Sequence, residues 1–335
     1  MESRRSPWLR AVSILSAALL LGSLASCGQA EMIRLYFANN GTEVRLDSPL
    51  PLRLPFTEHE GWIVVQASVN GSPPVPFVLD TGASMLTILT APDTEALGLD
   101  MGGLRRIGGE GVSAITAAVQ QGLELDFGPL ALLDQTVLAI PMDNILCSDQ
   151  VRPPPFRGVI GHELFGRYVV EVDHARGEVV LHDPADFEYR GDGVELPIEI
   201  SARHAYVRSQ VQAPDGAAYE ARLHVDTGAG IHLSLFPQAH EAIVVPAGGE
   251  DVAGCFVGGL ASYRRGEPVR LGLGQAPPVE VPVRYSTGDE VIKRGQHGRL
   301  GARFLADYNV VYDFPGKRII LAPRAVTPSI TGSAR

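Results

Sequence analysis

Phe77-Val78-Leu79-Asp80-Thr81-Gly82-Ala83-Ser84 carries a run of strand-forming residues into an acid, then Thr, Gly and Ala. The pattern returns as Arg222-Leu223-His224-Val225-Asp226-Thr227-Gly228-Ala229-Gly230. Period-2 alternation sets Val78 with Asp80 on one face of the first strand, and His224 with Asp226 on one face of the second. The Gly after each Thr lets the chain turn sharply as it leaves the strand. A lone Asp-Thr-Gly says little, because Asp and Gly are ordinary turn residues. Two copies in matching settings say more, provided that their surroundings also repeat.

The surroundings do repeat. Trp62-Ile63-Val64-Val65-Gln66-Ala67-Ser68-Val69 runs into an Asn70-Gly71 turn ahead of Asp80, and Ala205 to Val211 runs into Pro214-Asp215-Gly216 ahead of Asp226. Each pair reads as a hairpin whose return strand delivers the acid. Gly158-Val159-Ile160-Gly161 follows Asp80, with its second Gly 81 residues on. Gly298-Arg299-Leu300-Gly301 follows Asp226, with its second Gly 75 residues on. Strands Tyr168 to Asp173 and Val179 to Leu181 continue the first copy; Tyr308 to Asp313 and Ile319 to Leu321 continue the second. An internal repeat this long predicts two related lobes.

On these residues the chain resembles the aspartic proteases. The duplicated layout is similar to the pepsin-like enzymes, whereas Asp-Thr-Gly-Ala resembles the retropepsins, as does Ile107-Gly108-Gly109-Glu110-Gly111, which resembles a retropepsin flap tip. The whole resembles a bacterial retropepsin-like aspartic protease in a fused two-lobe form, over roughly 56–324. The implied fold is all-β: two homologous β-barrel lobes, at 56–190 and 191–324, with a cleft between them. Asp183 to Pro197, rich in Asp, Glu, Gly and Pro, is the expected linker.

The resemblance makes Asp80 and Asp226 the catalytic pair. Two carboxylates a few ångströms apart do not both ionise easily, so they share a proton and supply a general base and a general acid together. Water is then the nucleophile, and neither a cofactor nor a metal is called for. Thr81 and Thr227 would hydrogen-bond across the lobe interface, and Gly82 and Gly228 would let backbone amides approach the acids. Ala83 and Ala229 stand where pepsin-like enzymes place a hydroxyl that supports the charged acid. The missing hydrogen bond predicts a less acidic optimum than a pepsin's.

A glycine-rich hairpin over about 104–119, with its tip at Gly108, Gly109, Glu110 and Gly111, is the expected flap of the first lobe. Cys255 to Tyr263, through Gly258 and Gly259, is the candidate in the second; an ordinary surface turn is the alternative for each. His224, two before Asp226, reads either as a strand residue with no catalytic part or as the lining of a substrate subsite.

The chain has 335 residues, 45% hydrophobic and 20% charged, which suits two globular domains of ordinary composition. Residues 1–26 read as a leader: Arg4, Arg5 and Arg10, then an apolar stretch from Ala11 to Leu24, short for a bilayer span. Leu24-Ala25-Ser26-Cys27 resembles a bacterial lipobox, which would make Cys27 the lipidated first residue of an envelope lipoprotein. An ordinary signal peptide is the alternative. Cleavage would leave 25 basic against 37 acidic residues. That balance speaks against nucleic acid or anionic lipid as the partner and does not identify a substrate; the polypeptide substrate is what the resemblance implies. Cys147 and Cys255 read either as a bridge between lobes or as two free thiols.

Residues 27–55 are expected to hold a tether and two short strands, Ile33 to Phe37 and Val44 to Leu46, and 325–335 a disordered tail. The predicted state is a monomer that is internally a pseudo-dimer. Two functions follow: an endopeptidase, or a catalytically silent peptide-binding lipoprotein of the same fold.

Overall fold

A computed structural model describes residues 33–107, 115–144, 154–256, 259–288, 290 and 292–324. Cys27, Cys147, the tip Gly108–Gly111, Gly258 and the 325–335 segment lie outside the described residues. The chain divides into two units, Met1–Gly41 and Thr42–Arg335. In the first, residues 33–36 form a helical turn closed by Phe37 N–H donating to the Ile33 carbonyl at 3.2 Å. The expected strand there is not formed. Five apolar residues in a row fit a helical turn as well as a strand, and periodicity over so short a window does not separate the two.

The second unit is all-β. In its first half, Trp62–Val69 pairs antiparallel with Val75–Leu79, and Val75–Leu79 pairs parallel with Gly158–Ile160. In its second half, His204–Gln212 pairs antiparallel with Ala218–Asp226, which pairs parallel with Gly298–Gly301. The register is the same: Phe77 faces Gly158 and Leu223 faces Gly298, each three residues before its acid.

The Gly-x-x-Gly pattern has a steric cause. A Cβ on Gly158 would lie 2.0 Å from the buried Phe77 ring, and one on Gly161 would lie 2.3 Å from the Ala83 carbonyl. A Cβ on Gly301 would meet the Ala229 carbonyl at 2.5 Å. Each acid loop therefore lies directly on a bare backbone. Gly158→Ala is expected to destabilise the fold by about 3 kcal/mol or more, because the fully buried Phe77 has nowhere to retreat. Thermal unfolding measures this, and an unchanged Tm would contradict the packing.

A six-stranded antiparallel sheet joins the halves. Its order is Leu52–His59, Glu178–His182, Val169–Asp173, Tyr308–Asp313, Arg318–Pro323 and Val194–Ser201. At its middle Val170 faces Tyr312 and Val172 faces Val310. Alternate residues Val170, Val172, Val179 and Leu181 are buried, and Phe165 stacks on Phe314 at 5.5 Å beneath them. The short strand and the linker read from the sequence find their places here. Val44–Leu46 pairs with Leu130–Leu132 inside the first half, so it does not join the halves; Leu52–Pro55 does. The predicted linker is irregular only to Gly193, and Val194–Pro197 is already strand.

Candidate active site

Each acid sits at the mouth of a strand, and the two loops grip one another. Thr81 N–H donates to Thr227 Oγ1 at 2.9 Å, and Thr227 N–H donates to Thr81 Oγ1 at 3.0 Å. The hydroxyls go on to donate to the carbonyls of Val225, 2.8 Å, and Leu79, 2.7 Å. Both threonines are buried, so each hydroxyl satisfies a donor and an acceptor of the opposite loop that water does not reach.

The grip brings the two carboxylates together. Gly82 N–H donates to Asp80 Oδ1 at 2.7 Å. Gly228 N–H is shared: Asp80 Oδ1 and Asp226 Oδ1 each accept from it at 3.1 Å. A Cβ on Gly82 would fall 2.7 Å from Asp226 Oδ1, and one on Gly228 would fall 2.4 Å from Asp80 Cγ. Any larger residue would drive the acids apart. The six motif residues Asp80, Thr81, Gly82, Asp226, Thr227 and Gly228 are thus assembled in one place, with Ala83 and Ala229 in the turns behind them.

The aspartyl protease family model matches residues 65–164. That match takes in Asp80 and Gly158–Gly161, ends before the second acid, and supports a protease of the aspartyl class. No curated protein matches the chain.

Two further hairpins lie on the segments named as flap candidates. Arg105–Ile107 pairs antiparallel with Ile115–Ala117 in the first half. Asp251–Phe256 pairs with Gly259–Arg265 in the second half, and Gly259 takes a positive φ of 125° at the turn. Cys255 is disulfide-bonded, so the free-thiol reading does not hold for that residue.

Several neighbours of the acids are not among the site residues read from the sequence. Trp62 Nε1–H donates to the Gly228 carbonyl at 3.0 Å. In the matching place of the other half, His204 Nε2 lies 2.8 Å from the Gly82 carbonyl, with Lys293 Nζ 2.8 Å from the same nitrogen. Arg203 Nη1 donates to the Ser84 carbonyl at 2.7 Å from a left-handed backbone, φ 68°. Most important is Arg299, whose Nε lies 3.0 Å from Asp226 Oδ2 with both side chains buried. The N–H is not aligned on that oxygen, so the contact is an ion pair rather than a hydrogen bond. Sequence did carry a sign of it: a charged residue between the two glycines where the first copy has Val159.

The two halves differ systematically behind the acids. One row across the first half runs Val64, Val78, Val159, Thr87 and Leu138. The same row across the second runs Tyr206, His224, Arg299, Ser234 and Arg284. The first packs as an apolar cluster with Phe156 and Met142. The second is polar: Arg284 Nε–H donates to Ser234 Oγ at 2.8 Å and its guanidinium covers the Tyr263 ring, whose hydroxyl donates to Glu290 at 2.5 Å.

His224 lies in that row, fully buried, with Nδ1 3.8 Å from Asp226 Oδ2 and neither ring nitrogen hydrogen-bonded among the described residues. Burial first, then the charges of Lys293, His204, Arg299 and Arg222, push its pKa well below the usual value. Burial, reinforced by Arg203, Arg167 and His204, likewise lowers His162 to about 4. Both rings are neutral in the fold and take up protons more readily when unfolded. Their stabilising effect is therefore complete above about pH 6.5 and is lost as the pH falls towards 4. Tm is expected to fall across that window, by about 1 kcal/mol of stability from His162 after allowing for solvent screening. In His224→Val the fall should be shallower than in wild type. Parallel curves would remove His224 from the acid response.

Proposed function

We propose that this chain is a single-chain aspartic endopeptidase, built from two duplicated lobes at 56–190 and 191–324, that cuts extended polypeptides across the Asp80/Asp226 pair. The observation that carries it is the one amide, Gly228 N–H, accepted by both carboxylates from two loops locked by Thr81 and Thr227. A peptide-binding protein has no use for two acids pressed together, and Asp is seldom buried without a reason.

In this reading the ionised acid takes a proton from water, whose oxygen attacks the peptide carbonyl carbon. The other acid gives its proton to the carbonyl oxygen, producing a tetrahedral diol. On collapse the leaving amine takes the first proton back, and the second acid regains its own. The base of the first hairpin and the second hairpin would carry the flaps, with Gly108–Gly111 and Gly258–Gly259 at their tips. Cys27 would tether the enzyme to an envelope membrane, leaving the body to reach polypeptides there.

The test is cleavage of reduced, alkylated casein between pH 3 and 8 by the wild-type chain, with the products sequenced. Cleavage with a maximum above about pH 3 supports both the protease and the consequence of Ala83 and Ala229. Cleavage that peaks below that value refutes the Ala argument and leaves the protease standing. Binding of casein without cleavage at any pH favours the silent peptide-binding alternative.

A further inference from the structure

The amide that both carboxylates share belongs to Gly228, and the carbonyl of that residue is held from the other half of the chain. Gly228 N–H donates to Asp80 Oδ1 and to Asp226 Oδ1 at 3.1 Å each. With two equal acceptors, a swing of about 0.3 Å towards one oxygen stretches the bond to the other past the useful range. Glycine also has the least restrained backbone of any residue, yet nothing larger fits, since a Cβ there would fall 2.4 Å from Asp80 Cγ. The place that needs the closest control of orientation therefore has the softest backbone.

Trp62, the first residue of strand Trp62–Val69, supplies a restraint. Its Nε1–H donates to the Gly228 carbonyl at 3.0 Å, so Gly228 is engaged at both ends, by the acids at its N–H and by the indole at its C=O. The indole has little room to drift. A Cβ on Gly230 would lie 2.9 Å from Trp62 Cζ2, so the ring rests on bare backbone just past the acid loop. Phe156 meets the ring edge-on at 5.5 Å, and His59 stacks on it at 6.3 Å. The turn that carries Trp62 across is itself seated on the second half. Glu60 and Gly61 both have positive φ, 51° and 90°, and close a two-residue hairpin between His59 and Trp62. Glu60 pairs with Arg303 at 2.5 Å, and a Cβ on Gly61 would fall 2.8 Å from the Ala302 carbonyl.

We propose that Trp62 is a positioning residue: reaching over from the first half, its indole N–H fixes the orientation of Gly228 and so keeps one amide on both acids. The proposal rests on the protease reading and deepens it. Trp62 acts through Gly228 and not on a reacting atom. While the amide spans both oxygens, the carboxylates stay side by side as one takes a proton from water and the other gives one to the peptide carbonyl. Without the indole bond, Gly228 is free to turn towards one oxygen, and the spacing of the pair drifts. A drift of about 1 Å costs about 100-fold in turnover, so a partial release should cost about tenfold.

The test uses the full chain, wild type beside Trp62→Phe, which keeps an aromatic ring over Gly230 and removes the N–H. On casein, kcat should fall about tenfold, with KM within about twofold and Tm within about 3 °C of wild type. The second readout is 15N NMR, which does not depend on cleavage. The chain has two tryptophans, Trp8 and Trp62, so the indole signal lost in Trp62→Phe is that of Trp62. In the wild type that N–H should exchange slowly with solvent, and the Gly228 amide signal should move in Trp62→Phe. Wild-type kcat in Trp62→Phe overturns the proposal, as does a raised KM with kcat unchanged or an unmoved Gly228 signal. A freely exchanging Trp62 indole N–H in the wild type overturns it even if Trp62→Phe does not fold. Any of these results beside normal wild-type cleavage sinks this inference alone. Absent cleavage by the wild type sinks the protease reading and this inference with it.

Discussion

Asp80→Asn and Asp226→Asn should each lower kcat/KM on an unfolded protein by about 1,000-fold or more, and should differ in what they do to stability. The kinetic expectation follows from the shared proton: an amide neither takes a proton from water nor gives one up, so either change removes one arm of the acid–base pair. The stability expectation comes from the unequal partners. In Asp80→Asn the amide oxygen still accepts from Gly82 and Gly228, so neither of those donors is left unmet. That variant should unfold within about 1 kcal/mol of wild type. Asp226→Asn takes the negative charge away from the buried Arg299 and should cost about 3 kcal/mol. Cleavage assays beside thermal unfolding check both halves. Equal Tm values for the two variants would show that the Arg299 contact adds nothing to stability, and residual full activity in either would show that the acids do not act as one site.

The second large effect is expected at the grip. In Thr81→Val the Thr227 N–H and the Val225 carbonyl lose their partner in a place that water does not reach. Each buried group left unmet costs about 1–3 kcal/mol, so the variant should lose about 2–4 kcal/mol. Thr227→Val leaves the Thr81 N–H and the Leu79 carbonyl in the same condition. The double variant should cost less than the sum, because loops released by the first change no longer hold the second hydroxyl in place. Turnover should fall by about 100-fold in either single variant, as expected when reacting groups drift by about 1 Å. Thr81→Ser keeps the hydroxyl and should keep most of both properties. A Thr81→Val enzyme with wild-type Tm and kcat would mean that the loops are held by something other than these hydroxyls.

Much of this was legible in the chain. The hairpins that deliver Asp80 and Asp226 are runs of strand-forming residues that turn at Asn70-Gly71 and Asp215-Gly216, so local rules suffice. Gly158, Gly161, Gly298 and Gly301 were legible because the Phe77 ring at the first and backbone carbonyls at the other three leave no room for a Cβ. The sheet joining the halves was not. Its strands Val169–Asp173 and Tyr308–Asp313 are plain in the sequence, yet their pairing is a contact between distant segments that leaves no local mark. Ile33 to Phe37 misled because five residues do not carry a period. Arg299 escaped because a charge in a strand reads as a solvent face, and only the fold shows that this face looks inward at Asp226. The Cys255 disulfide could be named only as one of two readings, since spacing does not fix pairing.

The contrast between the Val78–Val159 row and the His224–Arg299 row has a consequence for assembly. Two identical chains meeting on a twofold axis would present the same surroundings to both acids. A guanidinium placed against one carboxylate would then be placed against the other. Only a chain that encodes the two halves separately can place an arginine in one row and a valine at the matching position of the other. Covalent linkage of the halves thus does more here than raise their local concentration: it frees the surroundings of two matching acid loops to be altered one at a time.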